Sequence, residues 1–106
     1  MKTKTAFAVY KPFKGKSNEL IEILNRHITL LKEKHYITDK CTYLVRSENE
    51  LLLEIFVWKS DEAKKEAHKD EDIINIWNEM SEVCEFGNLT NLSEAGNTFA
   101  NLELIK

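Results

Sequence analysis

Two ionisable side chains stand in apolar company, and they are where acid–base chemistry is to be sought. Glu54 lies in the run Leu51-Leu52-Leu53-Glu54-Ile55-Phe56-Val57-Trp58, and on its own face its neighbours are Leu52, Phe56 and Trp58. A carboxylate there must be paired, protonated or at a wet edge, because burial penalises its charged form. It suits a general base, or equally an ion pair across a subunit interface with Arg46 or a lysine. His27 falls near the middle of a broad apolar helix face built from Leu20, Ile21, Ile23, Leu24, Ile28, Leu30 and Leu31. An imidazole titrates near pH ~6.5 and so suits a pocket acid or base. The plain alternative is a neutral buried histidine with one satisfied hydrogen bond. Glu103 and Asn101, in the last apolar run, form a weaker case of the same kind.

Four further residues suit the walls of a pocket. Trp58 and Trp77 offer flat apolar faces to an aromatic ligand, or simply core. Tyr10 projects beside the small Ala6 and Ala8, and His68 closes a short helical segment where the helix dipole favours a cation. The three histidines are separately placed, and no metal-ligand spacing, glycine-rich phosphate loop or Ser/His/Asp arrangement is present. No metal and no cofactor are therefore expected.

The elements that must hold these residues follow from periodicity. Thr5 to Tyr10 alternates as a strand, broken by Pro12 and Gly15. Ser17 is the expected N-cap of a helix running to about Lys34, with Glu19 in its first turn. Cys41 to Arg46 and Leu51 to Trp58 read as strands of a hairpin joined by a polar loop. Ser60 caps a short helix, Asp70-Glu71-Asp72 starts a longer one, and Ile73, Ile76, Trp77, Met80 and Cys84 form its buried stripe. Phe86 to Thr98 reads as loop with room for one short extended piece, and Phe99 to Ile105 as the last strand.

That order, strand-helix-strand-strand-helix-strand, predicts a ferredoxin-like βαββαβ sandwich with both helical regions on one face of an antiparallel sheet. The third strand is apolar on both faces, the pattern of a central strand. Since the helices cover only one face, the open face is expected to bury Leu52, Phe56 and Trp58 against a second copy, in a homodimer.

Length and composition frame this as one domain over residues 1–106. Of its 106 residues, 42% are hydrophobic and 31% charged, so it resembles an ordered globular chain rather than a disordered one. A net charge of −3 gives no basic field for nucleic acid. The apolar run Ala6 to Tyr10 is too short for a signal sequence, and nothing approaches a membrane span, so the expected location is the cytoplasm. Cys41 and Cys84 are far apart and read as reduced, buried residues.

The run Phe56-Val57-Trp58-Lys59-Ser60-Asp61-Glu62-Ala63, followed by Ala67-His68 and Ile76-Trp77, resembles the antibiotic-biosynthesis-monooxygenase-like family of dimeric α+β barrels. Tyr10-Lys11-Pro12 with Gly15, and Ser93-Glu94-Ala95 with Phe99-Ala100, fit the same mould. The resemblance implies a homodimer with a pocket between sheet and helices in each subunit. It also implies cofactor-independent oxidation of an aromatic or quinol-type substrate by O₂, with a small-ligand-binding or sensing module as the alternative. Within that reading His27 and Glu54 are the proton-transfer candidates, and Tyr10, Trp58, His68 and Trp77 line the pocket. The heme-degrading branch is disfavoured. Its first-strand Asn is missing, its Trp position holds His68, and its His position holds Asn78.

Overall fold

The first strand, β1 (Thr5–Pro12), stops where proline has no N–H to give a ladder. The chain turns through Gly15, whose φ of +78° lies in the left-handed region open to glycine. It then enters α1 (Ser17–Glu33). Lys16, not Ser17, occupies the N-cap and makes no side-chain cap, while the buried Ser17 hydroxyl has no hydrogen-bond partner. The computed structural model describes residues 3–106.

Strands β2 (Tyr43–Arg46) and β3 (Leu52–Val57) form the expected hairpin. Its turn is closed by Ser47 N–H donating to the Leu51 carbonyl at 2.8 Å, with Glu50 left-handed at φ +70°. The short helix, kink and longer helix are present as α2 (Asp61–Ala67) and α3 (Glu71–Val83). Ser60 Oγ accepts from Ala63 N–H at 3.0 Å, and Asp70 accepts from Asp72 N–H at 2.9 Å. These caps satisfy first-turn donors that otherwise have no partner. Asp70 also receives Lys34 Nζ at 2.8 Å and Tyr36 Oη at 2.7 Å, which pins the end of α1 to the α2–α3 kink. Arg26 holds α1 to α3 by a two-pronged pair with Glu79 at 2.8 and 3.1 Å.

The result is an α+β domain with one open five-stranded antiparallel sheet in the order β4-β1-β3-β2-β5, compatible with a ferredoxin-like fold. Its fourth strand differs from the sequence reading. β4 (Cys84–Gly87) follows α3 without a break and pairs with β1, so Cys84 ends the helix and opens the strand. Of the expected strand Phe99–Ile105, only β5 (Glu103–Leu104) is extended and paired, on the opposite edge beside β2. Two residues of edge pairing leave Phe99 85% exposed.

The two faces of β3 are the reverse of the interface expected from sequence. Leu52, Phe56 and Trp58 pack under the helices with Leu20, Leu24, Leu31, Ile73 and Met80, and are not available to a second subunit. The aliphatic face of Leu53, Ile55 and Val57 points away from the helices. Part of it is covered by the chain after β4: Leu92 and Leu102 pack on Val9, Leu53 and Val45. That segment begins with a 3-10 turn (Leu89–Asn91) and is held by Glu94, which is buried and accepts from the Ser47 hydroxyl and from Glu48 N–H at 3.0 Å. Beyond it, Phe7 stays 52% exposed and Tyr43 46% exposed, on either side of Ile55 in one cross-strand row. Cys84 is buried as expected, and burial pushes its thiol up to about 11, whereas Cys41 is exposed.

Candidate functional site

β1 and β3 pair with Ala8 opposite Glu54 and Tyr10 opposite Leu52, so Tyr10 and Glu54 are diagonal neighbours on the helix-covered face. The absence of a large side chain at Ala8 lets them meet: Tyr10 Oη donates to Glu54 Oε1 at 2.8 Å. From above, α1 lowers His27 onto the same carboxylate, with Nδ1 3.0 Å from Oε2. Trp77 of α3 completes the chain, its indole N–H donating to His27 Nε2 at 3.1 Å. Glu54 is 1% exposed and His27 2%.

Donor counting fixes the protons. An indole N–H can only donate, so His27 Nε2 is the acceptor, and Nδ1 carries the hydrogen given to Glu54. Glu54 receives a donor on each oxygen, both from neutral groups. Burial, then the adjacent Glu54 charge, raises the Tyr10 phenol well above its ordinary range, so it stays protonated. Glu54 is thus paired within its own subunit and not with Arg46, whose guanidinium lies 3.5 Å from Glu103.

Two depressions flank this network. On the β1–β4 side a groove of about 390 Å³ is lined by Ala8, Tyr10, Phe86, His68 and Trp77, with Gly87 at one end. Its rings meet edge to face: Tyr10 and Phe86 centroids are 5.8 Å apart, His68 and Trp77 5.0 Å. His68 Nδ1 is 2.7 Å from the Lys64 carbonyl, an acceptor, so that nitrogen bears the hydrogen. Its Nε2 has no hydrogen bond among the described residues. On the β2–β3 side a cavity of about 260 Å³ lies between α1 and β2, with Glu54 in its lining.

Of the residues singled out from sequence, Tyr10, His68 and Trp77 share the groove. Trp58 stands behind them, 5.1 Å from the Phe56 ring and 6.2 Å from His68. His27 and Glu54 are joined to each other, and Glu54 alone of the two reaches a cavity. Both His27 ring nitrogens are already engaged. Phe86 opens the loop-like stretch after the helical stripe, and only its pairing opposite Tyr10 brings it to the groove. Thr42 and Lys32, which line the cavity, carry no signal in sequence.

Among the described residues, no group of three or more His, Cys, Asp or Glu side chains is placed to hold a metal ion. No helix among them is long and apolar enough to cross a membrane. Comparison with family models, with curated proteins and with solved structures gave no match.

Proposed function

We propose that the protein is a homodimeric, cofactor-independent monooxygenase-like enzyme of the dimeric α+β barrel type, acting on a small quinol-type aromatic substrate. The observation that carries this reading is the groove in which Tyr10, Trp77 and Phe86 surround a histidine with a free Nε2. A flat ring fits against those faces. His68 Nε2 accepts the proton of a substrate hydroxyl, leaving an electron-rich phenolate that reacts with O₂. One oxygen atom enters the ring and the other leaves as water, the substrate supplying all the electrons. Glu54 and His27 act from behind, holding Tyr10 and Trp77 in position.

The subunit's element order, β1-α1-β2-β3-α2/α3-β4 with β5 at the edge, supports reading it as a ferredoxin-like βαββαβ unit. The homodimer forms through the uncovered row Phe7, Ile55 and Tyr43. An apolar strip of this kind favours association with a like surface.

The test is oxygen uptake with hydroquinone and naphthohydroquinone, with a metal chelator present. Uptake well above autoxidation, falling about 10²-fold or more in His68→Ala, is expected for loss of a general base. Uptake equal to autoxidation would remove the oxygenase reading. One observation favours the second reading, a binding module without turnover. His68 is exposed, so water reaches the groove where a reactive intermediate would need protection. Saturable quinol binding without oxygen uptake would establish that alternative.

A further inference from the structure

We propose that the cavity between α1 and β2 is a separate binding site for a small organic cation, a primary amine on a compact apolar body. Glu54 is 1% exposed, and its two partners, the Tyr10 phenol and the Nδ1–H of His27, are both neutral. The network therefore buries a net negative charge with hydrogen bonds but no counter-charge. Buried carboxylates are ordinarily paired with a cation, because solvation is lost and only an opposite charge fully replaces it. Each carboxylate oxygen has a second lone pair beyond the one already used.

The cavity is formed to deliver such a partner. Leu24, Ile28 and Leu44 supply apolar walls. Thr42 lines the same space, and its buried hydroxyl oxygen has no hydrogen-bond partner among the described residues. An ammonium has three donors, which Glu54 and Thr42 can share. The volume of about 260 Å³ lies just under the ~300 Å³ at which drug-sized pockets begin, so a single-ring amine is the fitting size. Lys32 and Lys106 also line the cavity, and neither makes an ion pair among the described residues; their charges oppose a ligand cation. The site lies across the Glu54 network from the aromatic groove and does not depend on oxygenase activity.

Calorimetric titration with 2-phenylethylamine and with 2-phenylethanol, its neutral counterpart of the same shape, tests the proposal. The amine is expected to bind at least tenfold more tightly. Glu54→Gln is expected to erase that preference. Thr29→Trp, at an exposed lining position of α1, is expected to block binding while leaving the Glu54 network intact, which keeps the test sound if Glu54→Gln folds poorly. Lys32→Gln is expected to bind the amine as tightly or more so. Equal affinity for amine and alcohol, binding untouched by Thr29→Trp, or weaker binding in Lys32→Gln would each overturn the proposal.

Discussion

Trp77 gives its indole hydrogen to Nε2 of His27 across the α1–α3 interface at 3.1 Å, and this one bond dictates where the protons of the buried network sit. With Nε2 committed as acceptor, His27 presents N–H to Glu54 and is held neutral, although it lies 3.0 Å from a carboxylate. The tautomer of one residue on α1 is thus set by another on α3, fifty positions later in the chain.

In Trp77→Phe the ring is retained and the donor lost. His27 Nε2 becomes an unsatisfied buried acceptor, and the variant is expected to lose about 1–3 kcal/mol of unfolding free energy. Long-range proton–nitrogen correlation spectra should show the Nδ1–H tautomer in the natural protein. In the variant the Nε2 resonance should shift, because its hydrogen-bond donor is gone. An Nε2–H tautomer in the natural protein would contradict the geometry.

Glu54→Gln tests the same network from its centre. A glutamine oxygen can satisfy one neighbour, but its amide then faces another donor, either Tyr10 Oη–H or His27 Nδ1–H. The phenol can rotate to accept, which leaves its own hydrogen without a partner. A loss of about 1–3 kcal/mol in urea denaturation is expected. An unchanged midpoint would show that the two hydrogen bonds to Glu54 do not stabilise the fold.

The chain after β4 should be acid-sensitive. Hydrogen bonds from the Ser47 hydroxyl and Glu48 N–H hold the Glu94 carboxyl at about 2, below its ordinary 4.5. A depressed carboxyl pKa favours the docked state above the ordinary value, and that contribution fades as pH falls from 4.5 toward 2. Hydrogen exchange at residues 88–97 should therefore accelerate, after correction for intrinsic rates, across that window and earlier than exchange in β1 or β3. Glu94→Gln should show fast exchange there already at neutral pH. Protection that stays uniform through the window would refute this latch.

Phe7→Asp places a charge in the middle of the exposed row with Ile55 and Tyr43. Since Phe7 is already 52% exposed, the fold should survive. Sedimentation should show a dimer for the natural protein at micromolar concentration and a monomer for the variant. A natural protein that sediments as a monomer would remove the dimer from the proposed function.

Most element boundaries were legible in sequence because they rest on local chemistry. Ser60 and Asp70 are capping side chains placed before helical periodicity, and both cap as their positions suggest. Cys84 to Gly87 was hidden because Cys84 continues the helical stripe and no turn residue separates α3 from β4. A four-residue edge strand is stabilised by pairing with β1, not by its own sequence. Phe99 to Ile105 shows the converse, an apolar run of strand-like composition with little sheet to join.

Apolar spacing within a strand and a helix is enough to mark Glu54 and His27 as polar groups in the interior. What they touch depends on packing. β3 is apolar on both faces, so alternation could separate its two sets of side chains without telling which set lies under the helices. Packing put Leu52, Glu54 and Phe56 inward, and β1–β3 register then placed Tyr10 beside the carboxylate. Hydrogen-bond partners far apart in sequence are chosen by register and helix docking, and neither is encoded in the spacing of neighbouring residues.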